Sequence, residues 1–142
     1  MKTIKLFSFF ALSALIFSSC SSDDDATPEV INEEEVITTM TVTLVDDNGT
    51  TKTMKITDPD GDGPENPVLE VDALDANTTY SGSIQFLNET VTPADNITVE
   101  VAEEDDEHQV FYVPSSGLNA TVVYEDSDAD NNPVGLDITL TT

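Results

Sequence analysis

The chain has 142 residues, with 29 acidic side chains, four lysines and no arginine, and its formal net charge is −25. Nucleic-acid binding depends on neutralising phosphates with lysine and arginine, so this composition excludes it. Adsorption of the bare chain to an anionic membrane surface is disfavoured for the same reason. A domain with so much like charge is expected to be soluble and monomeric.

Residues 1–19 have the layout of a secretory signal peptide. Two lysines begin it, and residues 4–17 are mostly apolar. That apolar stretch is too short for a membrane-spanning helix, which needs about 20 residues. Ser18 and Ser19 are small, and they precede Cys20, the one cysteine of the chain. This pattern predicts cleavage of the chain before Cys20.

Residues 17–20, Phe-Ser-Ser-Cys, resemble the lipobox of bacterial lipoproteins, although Phe17 stands where an aliphatic residue is usual. The resemblance implies that Cys20 becomes the first residue of the mature protein. It would then carry a thioether-linked diacylglycerol and an amide-linked acyl chain. Each buried methylene contributes ~0.8 kcal/mol, so several chains hold a protein firmly to a membrane. All 29 acids follow Ser19 and only Lys52 and Lys55 remain, which gives the mature chain a net charge of −27.

Residues 21–25, Ser-Ser-Asp-Asp-Asp, resemble the start of the tether in lipoproteins of Bacteroidota-type bacteria. The resemblance implies an outer-membrane lipoprotein that faces the cell surface. The alternative is that these are solvated linker charges, in which case the periplasmic face fits equally well. Residues 20–34 as a whole are predicted to form an acidic, extended linker after the lipidated cysteine. The folded domain is expected to occupy residues 35–142.

The first half of that domain predicts a series of short strands. Residues 35–45 and 51–57 alternate apolar and polar side chains, and the Asn48-Gly49 pair between them indicates a hairpin with a type I′ turn. Gly82, on the apolar side of a later strand, suggests a bulge or a close approach. The other predicted segments are a loop at 58–67, a strand at 68–71, a turn at 75–77 and a strand at 78–88.

The second half adds further strands and two acidic loops. Residues 97–102 fit either a strand or a short helix, and β-branching favours the strand. The remaining strands are expected at 108–113, 118–125 and 134–140, with acidic loops at 103–107 and 126–133. Seven or eight strands joined by turns predict an all-β domain, an antiparallel β-sandwich of immunoglobulin-like or Greek-key type.

Three segments resemble a family of small Bacteroidota lipoproteins. They are residues 21–25, residues 106–112 (Asp-Glu-His-Gln-Val-Phe-Tyr) and residues 132–136 (Asn-Pro-Val-Gly-Leu). Members of this family often carry the label "type 1 periplasmic binding fold". That fold is a large two-lobed α/β structure, and about 108 strand-rich residues cannot build it. The resemblance implies no known activity.

Two aspartate-rich loops are candidate calcium sites. Calcium takes six to eight oxygen ligands, and carboxylates at alternate loop positions can converge on one ion. The first loop matches the start of an EF-hand-like loop, and the second has a carboxylate at its twelfth position. No helices are expected around them, so either would be a loop site on a β scaffold. The alternative is that they are solvated turns of a very acidic protein. The candidate ligands are Asp58, Asp60 and Asp62 in the first loop, and Asp126, Asp128, Asp130 and Asp137 in the second.

Nothing in the sequence predicts catalysis. His108 is the lone histidine, and with Cys20 lipidated it cannot form a usual His/Cys zinc site alone, so a structural role at a strand start beside Glu107 is expected. Carboxylate pairs such as Glu103 and Glu107 arise by chance among 29 acids. Serine-nucleophile motifs and phosphate-binding glycine loops are absent. The expectation is a non-catalytic binding or accessory module with a protein or glycan partner. The alternative is a structural envelope module stabilised by Ca²⁺.

Overall fold

The computed structural model describes residues 35–61 and 63–142. The signal peptide, Cys20 and the linker at 20–34 lie outside the described residues, and so does Asp62. None of the helices in the described part of the chain is both long and apolar enough to span a membrane.

The described residues form one antiparallel sheet and one short helix, which confirms a mainly β, antiparallel domain. The strands lie in the spatial order β3-β2-β1-β4-β6-β5. In chain order the elements are β1 (Thr39–Asp46), β2 (Thr51–Thr57), β3 (Val68–Val71), β4 (Thr79–Leu87), α1 (Ile97–Glu103), β5 (Thr121–Tyr124) and β6 (Asp137–Thr141).

The hairpin between β1 and β2 is confirmed, but its turn differs from the predicted type. The Gly49 N–H donates to the Asp46 carbonyl at 2.9 Å, and the Asp46 N–H donates to the Thr50 carbonyl at 3.0 Å. Gly49 has φ +81°, whereas Asn48 is not among the residues with positive φ. A type I′ turn needs positive φ at both central residues, so the loop is instead a three-residue connection closed by a left-handed glycine.

The register of the strands separates an apolar face from a hydroxyl-rich face. Leu44 on β1 lies opposite Gly82 on β4, and Gly82 lies opposite Ile138 on β6. Because side chains alternate across a strand, these residues share one face. The opposite face carries mainly threonine and serine side chains, among them Thr41 and Ser83. The alternation predicted for β1 and β4 is therefore confirmed.

Two groups of buried side chains lie on the apolar face. One consists of Ile84 and Phe86 from β4 with Ile97 and Val101 from α1. The other consists of Leu44, Tyr80 and Ile138, against which partly buried side chains of several segments pack: Val42, Met54, Leu74, Tyr112, Val122, Tyr124 and Leu140. One half of the face is thus covered by a helix, and the other half by loop segments.

The strand favoured at 97–102 is wrong, because this segment is helix α1. Ile97 and Val101 are each 4% exposed, while Val99 is 52% exposed, which is the pattern of one buried helix face. The Thr98 hydroxyl accepts from the Phe86 N–H at 2.8 Å and donates to the Phe86 carbonyl at 3.2 Å. Thr98 thereby provides hydrogen-bond partners for the N–H and carbonyl of Phe86, which lies past the part of β4 that pairs with β6. This packing outweighs the strand preference of the β-branched residues.

The strand predicted at 108–113 is also wrong. This segment has no strand pairing, although the Val110 N–H donates to the Val134 carbonyl at 2.7 Å. Val110 and Tyr112 pack against the two buried groups, while Phe111 and Val113 are exposed. The segment therefore lies over the apolar face instead of along a sheet edge.

The two-sheet sandwich and the count of seven or eight strands are not confirmed. The described residues form six strands in a single sheet. Helix α1 and the segment around residues 110–112 pack on the apolar face, where a sandwich would place a second sheet. β5 and β6 are also shorter than the strands predicted at 118–125 and 134–140.

Candidate functional site

The first aspartate loop follows β2. The Asp58 N–H donates to the Thr38 carbonyl at 2.7 Å, and the Gly61 N–H donates to the Asp58 carbonyl at 3.3 Å. The Asp60 Oδ2 accepts from the Glu65 N–H at 3.1 Å. Asp62 lies outside the described residues. The calcium site at Asp58, Asp60 and Asp62 stays a prediction.

In the second loop, Asp126 binds the backbone just before β6. Its Oδ1 accepts from the Gly135 N–H at 2.8 Å, and its Oδ2 accepts from the N–H groups of Leu136 and Asp137 at 2.6 and 3.2 Å. Three amides on one carboxylate hold the chain at the start of β6. Asp126 therefore has a structural role, whatever else the loop does.

Asp128 organises the tip of the same loop. Its Oδ1 accepts from the N–H groups of Asp130 and Asn132 at 2.9 and 2.7 Å, and its Oδ2 accepts from the Asn132 side-chain amide at 2.8 Å. These hydrogen bonds, first among them the one from the Asn132 side chain, hold the pKa of Asp128 below its ordinary value. Asn131 adopts a left-handed conformation with φ +68°.

Within the described residues, neither aspartate loop brings three carboxylate oxygens within 4.8 Å of one another. Asp130 and Asp137 are exposed. The calcium site at Asp126, Asp128, Asp130 and Asp137 also stays a prediction.

His108 lies in a setting that the sequence did not suggest. Its Nε2 is 3.3 Å from the Glu35 Oε1, and its Nδ1 is 3.0 Å from the Glu104 backbone carbonyl. The side chains of His108 and Glu35 are 23% and 18% exposed. The hydrogen bond to the Glu104 carbonyl and the charges of Glu35 and Glu104 raise the pKa of His108, against the effect of burial. His108 therefore contacts Glu35 at the start of the domain, and it does not lie at the start of a strand as predicted.

Glu104 lies close to His108 because helix α1 ends at Glu103. Its N–H donates to the Glu100 carbonyl at 2.9 Å, and its carbonyl accepts from the Glu107 N–H at 2.9 Å, so the chain turns directly after the helix. Glu35, Glu104 and His108 each offer one ligand atom, and these atoms lie within 4.8 Å of one another. The four-residue spacing of Glu104 and His108 was visible in the sequence, but nothing in it pointed to Glu35.

A polar cleft of about 290 Å³ lies beside His108. It joins the acidic turn after α1 to the second aspartate loop, two segments that the sequence placed in separate loops. A cleft lined by so many carboxylates attracts cations. Its lining residues are Asp105, Asp106, Glu107, His108, Gln109, Asp128, Asn132 and Pro133.

A second exposed surface lies at the β3 edge of the sheet. Leu69 and Val71 are 67% and 56% exposed, and they share the apolar face with Ile56 and Met54 of β2. β3 pairs only with β2, so one side of its backbone is unpaired within the sheet. Edge strands with exposed apolar side chains are sites at which another chain can pair.

No protein-family model, no curated protein and no solved structure matches this chain. The class of this protein is therefore described from its fold and its candidate site alone. The described residues form a mainly antiparallel β domain with one helix and an acidic cleft, and their first residue, Glu35, belongs to a Glu-Glu-His cluster.

Proposed function

We propose that this protein is a lipid-anchored lipoprotein of the cell envelope, held at the outer membrane by Cys20 and facing the cell surface. Its β domain acts as a non-catalytic binding or accessory module. The observation that carries the proposal is the order of segments in residues 1–34: a charged start, a short apolar stretch, Ser-Ser-Cys and an acidic tether.

The organisation of the domain supports this proposal. The described residues all belong to one compact unit of the chain, which suits a module carried at the end of a tether. The immunoglobulin-like sandwich remains part of the proposal. It requires a second sheet over the apolar side chains of β2 and β3.

The β3 edge supports a binding role and favours a protein partner over a glycan. An extended peptide can add to such an edge by backbone hydrogen bonds, while alternate side chains give specificity. Leu69 and Val71 would contact the added strand on the apolar face. Glycan sites more often present aromatic side chains, and β3 carries none.

Two experiments test the anchor and the membrane face. Cells grown with an alkyne-labelled fatty acid should label the wild-type chain, and the Cys20→Ser variant should be unlabelled and released from the membrane. Protease added to intact cells should degrade the wild-type domain if it faces outward. Labelling of the variant would contradict the anchor, and protection in intact cells together with digestion in lysed cells would place the domain on the periplasmic face.

Capture from intact cells by chemical cross-linking tests the binding role. We expect a specific protein partner that is lost in a Leu69→Asp, Val71→Asp double variant. The matched control is Thr51→Asp at the start of β2, which adds a charge at an exposed position of the hydroxyl-rich face. Equal capture by wild type and the double variant would rule out the β3 edge as the contact.

The second candidate is a structural envelope module stabilised by Ca²⁺ at the aspartate loops, without a dedicated ligand. The ordered turn around Asp128 favours it, because hydrogen bonds from the Asp130 and Asn132 N–H groups hold this aspartate-rich loop in one conformation. At a hundredfold excess over Kd, calcium would stabilise the fold by ~2.7 kcal/mol, a rise in Tm on the order of 10 °C. A melt in Ca²⁺, Mg²⁺ and EDTA measures this. Identical curves, or no effect of Asp60→Ala and Asp128→Ala on a calcium-induced rise, would contradict it.

A further inference from the structure

We propose that Glu35, Glu104 and His108 form a binding site for a divalent transition-metal ion of the zinc class. The proposal is separate from the lipid anchor and from the aspartate loops. It rests on the geometry of three side chains that come together only in the folded domain.

The separation of the donor atoms suits zinc. Tetrahedral zinc sites have metal–nitrogen and metal–oxygen bonds of about 2.0–2.2 Å, so neighbouring donors lie about 3.3–3.5 Å apart. The His108 Nε2 and the Glu35 Oε1 are 3.3 Å apart. One carboxylate oxygen of Glu104 lies within 4.8 Å of a ligand atom of each of the other two residues, so a small movement of that side chain would complete three corners of a tetrahedron. Water can take the fourth.

The histidine is oriented as a metal ligand would be. Histidines that bind metals usually donate their other ring N–H to a carbonyl or a carboxylate, which fixes the ring and its tautomer. Here Nδ1 is 3.0 Å from the Glu104 carbonyl, which leaves the Nε2 lone pair of the neutral ring directed toward Glu35. One imidazole and two carboxylates form a donor set that suits zinc, whereas calcium prefers oxygen ligands alone.

A second observation points to a cation independently of the histidine. The Glu104 Oε2 is buried and has no hydrogen-bond partner among the described residues. Leaving a buried carboxylate oxygen without a partner is unfavourable, and each such atom in a folded protein calls for an explanation. A metal ion between Glu104 and His108 would satisfy this oxygen. The carboxylates of the neighbouring cleft, including Asp105 and Asp106, would raise the local cation concentration.

The site would also link two distant parts of the chain. Glu35 directly follows the predicted tether, and Glu104 and His108 flank the turn after α1. A bound ion would therefore fasten the start of the domain to the end of its helix.

The test uses residues 20–142 with Cys20→Ser, because the free thiol would itself bind zinc. His108 is the lone histidine, so its imidazole NMR signals report on this site alone. Zn²⁺ is titrated in an excess of Mg²⁺, which occupies weak acidic sites. We expect saturable binding of one zinc ion per chain, with a shift of the His108 ring signals and of the bound ring nitrogen in particular.

Three variants and one matched control assign the ligands. Each of Glu35→Gln, Glu104→Gln and His108→Gln should weaken zinc binding by at least about tenfold. Glu103→Gln makes the same charge change on the exposed neighbour of Glu104 and should leave the affinity within about twofold. Glu35 lies before β1 and outside the turn after α1. Glu35→Gln therefore still tests the assignment of the zinc ligands if a substitution at His108 disturbs that turn. His108 signals that do not move at millimolar zinc, or equal weakening by Glu103→Gln, would overturn the proposal.

Discussion

Gly82 lies directly against Leu44 across the β1–β4 pair. A Cβ atom on Gly82 would be 2.7 Å from the Leu44 Cδ2 and 2.8 Å from the Ile138 Cγ1. Leu44 and Ile138 are 0% and 2% exposed, so neither can move into solvent. The absence of a side chain at Gly82 thus leaves room over β4 for the buried side chains of Leu44 on β1 and Ile138 on β6.

Gly82→Ala should lower the free energy of unfolding by about 1–3 kcal/mol, because overpacking a well-filled core forces side chains or backbone to shift. Urea denaturation measures the change. Ser81→Ala is the matched control, since Ser81 is exposed on the opposite face and should change stability by less than about 0.5 kcal/mol. Equal effects of the two substitutions would contradict the close packing.

Two valines of helix α1 should respond in opposite directions. Val101→Ala removes two buried methyl groups and should cost about 1.5–3 kcal/mol. Val99→Ala acts on the exposed face, where alanine's higher helix propensity should leave stability equal or raise it by up to about 0.5 kcal/mol. Thermal melts of both variants test this. Similar losses at the two positions would show that residues 97–103 do not form the helix.

Asp126→Ala should destabilise the domain with or without calcium. The substitution leaves the N–H groups of Gly135, Leu136 and Asp137 without their acceptor, and we expect a loss of about 2–3 kcal/mol. Urea denaturation in EDTA and in Ca²⁺ separates this role from metal binding. A loss seen only in calcium would instead make Asp126 chiefly a ligand. Asp130→Ala, at an exposed position of the same loop, is the control.

Tyr112 should make stability fall at alkaline pH. Its hydroxyl donates to the Gly135 carbonyl at 2.8 Å, and burial, followed by the charges of Asp126, Tyr124 and Asp137, raises its pKa to about 12 from 10.0. The contribution of the neutral phenol is complete below about pH 10, and it is lost as pH rises toward 12, because the unfolded chain ionises first.

Tyr112→Phe removes both the hydrogen bond and this titration. We expect a loss of about 1 kcal/mol at neutral pH and a smaller decline in stability between about pH 10 and pH 12 than in wild type. Urea denaturation across that pH range measures both. An unchanged alkaline decline in the variant would contradict the raised pKa of Tyr112.

The strands that could be predicted from the sequence are those marked by alternating apolar and polar residues and by turn residues at their ends. β2 and β3 have the bounds that alternation and the flanking turn residues predicted, and Gly82 makes the close approach expected of it. The second half of the chain was predicted less well. There the apolar residues of 97–102 fit both the two-residue period of a strand and the 3.6-residue period of a helix. Their packing against Phe86 favours the helix. The segment at 108–113 alternates like a strand but pairs with no strand of the described part of the chain.

The candidate site was the least predictable feature. The sequence placed Glu35 at the start of the first strand, Glu104 in an acidic loop and the one histidine beside Glu107, because spacing reports only on residues that are near in the chain. Glu35 contacts His108 because the residues just before β1 lie next to the turn that follows α1. Alternation along the chain was enough to assign the apolar face of the sheet, since a strand's period is local. Three features depended instead on contacts between distant segments, which only the folded chain brings together. They are the segments that cover the apolar face, the helix at 97–103 and the Glu35–Glu104–His108 cluster.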